Sequence, residues 1–189
     1  GSEMCIRDRY YRQTDGLAMG SPCAPLLANG WLSQYDSSIQ GNAKIYVRYM
    51  DDILREINRS KFETKLKEIN SLNKSLEFTG EQEKNNSLSY LDTRLINSGG
   101  TLTSTWYFKP SDTGLIMNFH ALAPTKYKRA TVIGFVHRIY RACSNWTNFH
   151  ESIERAKNIL VKNEYPPAFT NKYIKDTIFK IVCKENRKE

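Results

Sequence analysis

The sequence predicts an α+β fold in which an antiparallel sheet with packed helices is followed by a basic, α-helical region. Up to about residue 110, helical patterns alternate with runs of β-branched and aromatic residues bounded by turn signals. Beyond Pro110, apolar residues recur with the 3.6-residue period of helices. The 28 Lys and Arg exceed the 20 Asp and Glu, and fourteen of the basic residues lie from Lys126 onward.

The first half of the chain is expected to contain a helix and a tight hairpin. Residues 1–10 fit no pattern and are left unassigned. Ser21-Pro22 is typical of an N-cap followed by proline at the first helical position, which predicts a helix from Cys23 to about Asp36. The runs Lys44–Tyr49 and Ile53–Ile57, on either side of a short acidic turn, predict a β-hairpin.

Further elements follow in order along the chain. An apolar helix face is predicted by Phe62, Leu66, Ile69 and Leu72. Two strands, Leu88–Ile96 and Thr101–Phe108, are expected to join across the turn signal Asn97–Gly100. Helices are predicted at Thr125–Cys143, Trp146–Lys162 and about Thr170–Val182. These elements predict one region over residues 11–110 and a basic helical region over residues 111–189.

Composition limits the class of protein. Hydrophobic residues make up 40% of the chain and charged residues 25%, as in globular proteins. No apolar run approaches the length of a membrane helix or a signal peptide, so we expect no membrane partner. The four cysteines are scattered, without a CxxC pair or clustered histidines, which argues against a zinc site or a disulfide scaffold.

The acidic turn of the predicted hairpin is the strongest chemical feature. Asp51 and Asp52 place like charges side by side without a neighbouring glycine, and a divalent cation would remove the cost of that arrangement. Carboxylate oxygens are the ligands that magnesium prefers. The alternative for the two aspartates alone is a solvated acidic turn.

Two weaker features accompany it. The segment Gln13–Pro22 contains Gly16 and Gly20, which allow close approach of the backbone to a ligand, although an ordinary turn and cap would have the same pattern. The segment Leu88–Asp92 precedes a strand and is equally consistent with an ordinary edge hairpin.

Three features together resemble reverse transcriptases, the RNA-directed DNA polymerases. They are Tyr49-Met50-Asp51-Asp52, the glycine-containing loop about 30 residues before it, and the Leu88–Asp92 segment. Within that family, the later part of the chain is most similar to Penelope-like retroelements. The similarity lies in Trp106–Pro110, Asp112-Thr113, Asn163–Pro166 and the basic helices. The resemblance implies a partial polymerase palm over residues 11–110 and a thumb-like region over 111–189. It also implies RNA-templated DNA synthesis, by nucleotidyl transfer from a dNTP to a primer 3′-hydroxyl.

The resemblance further implies roles for individual residues. Asp51 and Asp52 would be the catalytic residues and would bind two Mg²⁺ or Mn²⁺ ions. The nucleotide and template would be contacted by Gln13, Gly16, Gly20, Ser21, Tyr49 and Met50. Leu91 and Asp92 would support the primer, and the nucleic-acid backbone would be contacted by Lys126, Lys128, Arg129 and Arg138.

The expected partners are an RNA template, a DNA primer and a dNTP, in the nucleus as the resemblance implies or otherwise in the cytoplasm. A further catalytic aspartate should precede the glycine-containing loop, and Asp8 lacks the strand context for that role. We therefore expect this chain alone to be inactive, with fingers, the rest of the palm and often a GIY-YIG endonuclease domain in the parent protein. Two alternatives stay open: a catalytically inactive retroelement remnant acting only as a nucleic-acid-binding module, and a plain helical interaction domain.

Overall fold

The computed structural model describes residues 3–6, 9–12, 14, 16–18 and 20–185. The chain divides into two compact units, Gly1–Gln82 and Glu83–Glu189. Each unit has its own small antiparallel sheets and helices. The α+β class predicted from the sequence is thus confirmed.

The first unit contains two separate hairpins and three helices. Its strands are β1 (Glu3–Ile6), β2 (Arg9–Arg12), β3 (Tyr46–Tyr49) and β4 (Asp52–Arg55), paired β1 with β2 and β3 with β4. Its helices are α1 (Ala24–Ser33), α2 (Asp36–Gln40) and α3 (Phe62–Ser71), the last preceded by a 3-10 turn at Arg59–Lys61. Among its described hydrophobic residues only Leu32 and Ile39 are buried, so this unit has a small core.

An ion pair joins α2 to strand β3 within this unit. Arg48 on β3 donates from Nε and Nη2 to the Asp36 carboxylate at 2.6 and 2.7 Å, and the Tyr46 hydroxyl donates to the same carboxylate at 2.6 Å. Arg48 also donates to the Asn29 side chain and to the Met50 carbonyl. The hydrogen bonds from Arg48 hold the pKa of Asp36 below its ordinary value. Burial, followed by the bond to Asp36, raises the pKa of Tyr46 to about 12.

The second unit begins with a three-stranded antiparallel sheet. Its strands β5 (Ser87–Tyr90), β6 (Thr93–Ser98) and β7 (Thr101–Trp106) pair in sequence order. Ser98 pairs with Thr101 across Gly99 and Gly100, which both have positive φ, as a two-residue hairpin turn with the twist of the strands requires. The turn predicted at Asn97–Gly100 is therefore confirmed.

Three helices complete the second unit: α4 (Thr125–Ala142), α5 (Trp146–Lys162) and α6 (Pro167–Glu185). The Asn145 side chain accepts a hydrogen bond from the Asn148 amide at 2.8 Å and caps α5. The core contains side chains from all three helices and from β7, among them Trp106, Val136, Ile139, Phe149, Ile153, Leu160, Ile174 and Ile181. Because Trp106 is 3% exposed, the sheet and the helices share one core.

Several predicted elements differ from the observed ones. The helix expected from Cys23 begins at Ala24 and ends at Ser33, and Ser21-Pro22 lies in a turn before it; the Ser21 side chain is not its cap. The single strand expected over residues 88–96 is divided into β5 and β6, because Leu91 adopts a φ of 52° between them. The predicted boundary after residue 110 differs from the observed division after Gln82, since Trp106 on β7 packs among the helices.

Candidate nucleic-acid interface

The turn between α5 and α6 has the left-handed geometry that ends many helices. Glu164 has a φ of 64°, and its amide donates to the Val161 carbonyl at 2.9 Å. The next amide, of Tyr165, donates to the Leu160 carbonyl at 3.0 Å. This pair of bonds is a Schellman motif, in which glycine is the usual residue at the left-handed position. Residues 163–166 thereby turn the chain from α5 into α6.

The buried side chain of Asn163 attaches the segment before α4 to this turn. Its Nδ2 donates to the carbonyls of Gly114 and Ile159 at 2.8 and 2.9 Å. Its Oδ1 accepts from the Ile116 amide at 3.2 Å, and its backbone carbonyl accepts from the Phe119 amide at 3.0 Å. Because the side chain and the backbone carbonyl of one buried residue satisfy all these groups, residues 114–119 are held against the turn.

Four aromatic rings, which we call the aromatic ladder, run from this turn onto α6. The Tyr165 and Phe119 ring centroids lie 5.3 Å apart, those of Phe119 and Phe169 lie 5.2 Å apart, and those of Phe169 and Tyr173 lie 4.7 Å apart. All three contacts are edge-to-face, the favourable geometry for aromatic pairs. The ladder holds one side of α6 against the rest of the unit and leaves the other side in solvent.

The solvent side of the first two turns of α6 is polar and basic, whereas Asp176 and Phe179 are exposed further along the helix. Thr170 and Ile174 are buried, whereas Asn171, Lys172 and Lys175 are exposed. No acidic residue occurs in the first two turns of the helix. This face therefore has the charge and the hydrogen-bonding groups that contact with a polyanion requires.

Helix α4 contains five basic residues and no acidic ones: Lys126, Lys128, Arg129, Arg138 and Arg141. Their environments differ. Lys126 and Lys128 lie over the rings of Tyr127 and Phe119, with their Nζ atoms 5.0 and 5.1 Å from the ring centroids. Arg138 instead forms an ion pair.

Arg138 is bound to Asp92, which lies in the turn between β5 and β6. Its Nε and Nη2 each donate to one carboxylate oxygen at 2.8 Å. These hydrogen bonds hold the pKa of Asp92 below its ordinary value and raise the pKa of Arg138. The pair joins two residues for which the resemblance implied different roles. Asp92, with Leu91, would support the primer, and Arg138 would contact the nucleic-acid backbone. The ion pair ties the sheet to α4.

Helix α5 has mixed charge on its exposed face. Glu151 and Glu154 are exposed there, and Lys157 donates to Glu154 at 2.7 Å. Arg155 is exposed as well. The acidic groups make α5 a poorer surface for phosphates than α4 or α6.

The acidic turn of the first unit is a tight hairpin connection. Tyr49 pairs with Asp52, so Met50 and Asp51 form a two-residue loop, and Met50 has a φ of 55°. All four side chains are exposed. Among the residues that the structure describes, no group of three or more His, Cys, Asp and Glu is arranged to hold a metal ion.

The glycine-containing loop lies ahead of α1. Gly16 and Gly20 have φ of 75° and 88°, and the Ser21 carbonyl accepts from the Ala24 amide at 3.1 Å. These geometries are those of ordinary turns. Gln13, the remaining residue assigned to nucleotide binding in this loop, lies outside the described residues.

Compared with known families, residues 115–175 match the animal helix-turn-helix domain. The match covers α4, α5 and the first half of α6, about a third of the 189 residues. Neither a curated protein nor a solved structure matches the chain. Helix-turn-helix domains place a helix in the major groove of DNA, so the match indicates a nucleic-acid partner for the second unit.

The expectation of a reverse transcriptase is wrong. No reverse transcriptase matches, and the region interpreted as a thumb contains the helix-turn-helix match instead. The polymerase and Penelope-like interpretations are wrong as well, because four residues at a hairpin tip and a glycine-containing turn also occur in ordinary folds. The alternative of a nucleic-acid-binding module agrees better with the helix-turn-helix match. The metal and site roles assigned to Asp51, Asp52 and the other residues have lost that support; they stay untested predictions.

No described helix combines the length and apolarity needed to cross a membrane.

Sequence reasoning missed the exposed face of α6. The apolar period predicts a start near Thr170, after the two prolines Pro166 and Pro167. The helix begins at Pro167, since proline is tolerated in the first turn of a helix, where the missing amide has no intrahelical partner. Proline at that position was the signal that would have extended the helix back by one turn.

Proposed function

We propose that the second unit binds double-stranded DNA, with α5 and α6 as the helix-turn-helix pair and α6 in the major groove. The match of residues 115–175 to the animal helix-turn-helix domain is the observation that carries this proposal. The rigid turn at residues 163–166 supports it, since a recognition helix must be presented in a fixed orientation.

The charge distribution favours α6 over α5 as the helix that enters the groove. The acidic side chains of Glu151 and Glu154 on α5 would repel phosphates on both sides of a groove. The first two turns of α6 carry Asn171 and Lys172, and Lys175 follows on the same exposed side. In helix-turn-helix proteins the amino-terminal residues of the second helix contact the base edges.

Asn171 and Lys175 have the side chains that such contacts use. An asparagine amide pairs with adenine through two hydrogen bonds, and a lysine donates to the acceptors of guanine. Both side chains are exposed on the side of α6 opposite the aromatic ladder. We assign them to base contacts, and we assign the protein to the nucleus on the same basis, as a DNA-binding protein. The net charge of +8 supports a polyanionic partner.

The test measures binding of the chain to a labelled duplex of mixed sequence. Fluorescence anisotropy reports the affinity at several salt concentrations. We expect affinity to fall steeply between about 50 and 200 mM salt, as phosphate contacts require. Lys175→Ala is expected to weaken binding about tenfold, the loss of one good base contact.

Arg155→Ala on α5 is the matched control, because it removes an exposed basic residue from the face that we place away from the groove. It is expected to leave the affinity within about twofold of the unchanged chain. No salt-dependent binding, or an equal loss in both variants, would contradict the proposal.

A further inference from the structure

Two cations from different helices converge on the exposed end of the aromatic ladder. The guanidinium carbon of Arg129, on α4, lies 6.0 Å from the centroid of the Tyr173 ring. The Nζ of Lys172, on α6, lies 5.8 Å from the same centroid. Both cations are exposed, whereas the ring between them is half-buried.

Neither cation has a carboxylate partner among the described residues. Other cations of this unit do: Arg138 pairs with Asp92, and Lys157 pairs with Glu154. The face of an aromatic ring attracts a cation, but it neutralises no charge. Two like charges held at one ring therefore concentrate positive charge there, and an anion between or above them would offset it. The exposed Asp176 follows one turn after Lys172 on the same helix but forms no ion pair with it.

The base of this arrangement is rigid. Tyr173 contacts Phe169, and Phe169 contacts Phe119, which is anchored to the Asn163 carbonyl by its amide. Tyr173 also packs against the buried core that α4 and α6 share. The two cations thus project from a fixed platform, so less side-chain freedom is lost when they bind a ligand.

We propose that Arg129, Lys172 and the Tyr173 ring form a phosphate clamp that holds the backbone of the DNA duplex and sets the position of α6 in the groove. This inference rests on the proposed function. Phosphate contacts fix the register of a protein on DNA, while base contacts carry the sequence preference. Lys172 lies beside Asn171 on α6, which places the clamp next to the residues assigned to the bases.

The clamp is an open surface, and this favours a polymer over a small anion. Its two cations are exposed and stand on separate helices. Lys128 extends the same charge along the ladder, since its Nζ lies over Phe119. A continuous nucleic-acid backbone would contact all three cations in turn, whereas a free phosphate would contact few of them.

The test compares the salt dependence of duplex binding for the full chain and for Arg129→Gln, Lys172→Gln and the double variant. Each single variant is expected to reduce the slope of log K against log salt by about 0.9, and the double variant by about twice as much. The preference among duplex sequences is expected to stay unchanged. Arg129→Lys is expected to restore the slope, because it keeps the charge. Arg155→Gln on α5 is the matched control.

Three results would overturn the clamp. An unchanged slope in the double variant, with binding retained, would reject the clamp and leave DNA binding by α6 intact. Displacement of the duplex by inorganic phosphate, beyond that caused by chloride at equal ionic strength, would show a free-phosphate site instead. Absence of duplex binding by the unchanged chain would reject the clamp and the proposed function together.

Discussion

Asn163 helps to fix the start of α6 relative to the segment before α4. It is buried, and its side-chain amide bonds to Gly114, Ile116 and Ile159. A side chain that cannot make these bonds leaves the Gly114 carbonyl and the Ile116 amide without partners in a partly buried position. A single amide therefore links the segment before α4 to the turn before α6.

We predict that Asn163→Ala lowers the free energy of unfolding of the second unit by about 2–4 kcal/mol, because it leaves buried donors and acceptors unpaired. Urea unfolding followed by tryptophan fluorescence measures the change. Asn158→Ala, on the exposed side of the same helix, is the control and should change stability by less than about 0.5 kcal/mol. Equal effects of the two substitutions would show that the amide network contributes nothing.

Asp36 gives the first unit a pH-dependent contribution to stability. Its pKa is lowered in the folded chain by the hydrogen bonds from Arg48, so folding favours its charged form. The contribution is fully present above the pKa of the unfolded chain, about 3.9, and is lost as pH falls through the lower pKa of the folded chain. The first unit should therefore lose stability below about pH 4.

We predict that Asp36→Asn lowers the free energy of opening of β3 and β4 by about 2 kcal/mol at pH 6, since it removes the charged acceptor of Arg48 and Tyr46. The difference between the two proteins should shrink at pH 3. Hydrogen exchange of the amides in β3 and β4 at pH 6, with urea unfolding at both pH values, measures the effect. A difference that is the same at pH 3 and pH 6 would contradict this account.

At the scale of elements, β7 belongs with the helices that follow it. The Ser104 carbonyl accepts from the Asn148 side chain at 2.9 Å, and the Ser104 amide donates to the Ser144 hydroxyl at 2.9 Å. Two residues further along the strand, Trp106 contacts Phe108 and Phe135. The strand is thus part of the platform on which α4 and α5 stand.

We predict that Trp106→Ala lowers the free energy of unfolding by about 3–5 kcal/mol, because it leaves a large cavity in the shared core. Strand and helix amides should then lose protection together in hydrogen exchange. Trp146→Ala, at a ring that is 47% exposed, is the control and should cost clearly less. Helices that keep full protection while the strands lose it would show that the two parts have separate cores.

Local sequence patterns predicted the helices and the glycine turn well. They failed where tertiary contacts determine the backbone conformation or the burial of a side chain. Helix α5 has its expected bounds because Asn145 caps it and its apolar period is regular. The break at Leu91 was missed, since leucine seldom adopts positive φ and carries no turn signal. The helix expected from Cys23 forms as α1, but it contributes little to a core, since Leu26 is 76% exposed and Leu32 is its one buried residue.

At the scale of the whole molecule, charge was a better guide to function than the acidic turn. The basic residues of α4 were expected to contact nucleic acid, and the helix-turn-helix match falls on that region. Which cations are free for that contact was not predictable from the sequence, because Arg138 is bound by a carboxylate 46 residues away. The acidic turn predicted a polymerase, which no family match supports.

The most direct test of DNA binding by α6 is an NMR titration of the isotope-labelled chain with duplex DNA. The shifts of the backbone amide resonances report which residues are affected. We predict that the largest shifts lie in the first two turns of α6 and the amino-terminal half of α4, near Asn171, Lys172 and Arg129. The resonances of Gly1–Gln82 should change little. Shifts confined to the hairpin at residues 46–55, or no shifts at any DNA concentration, would contradict the account.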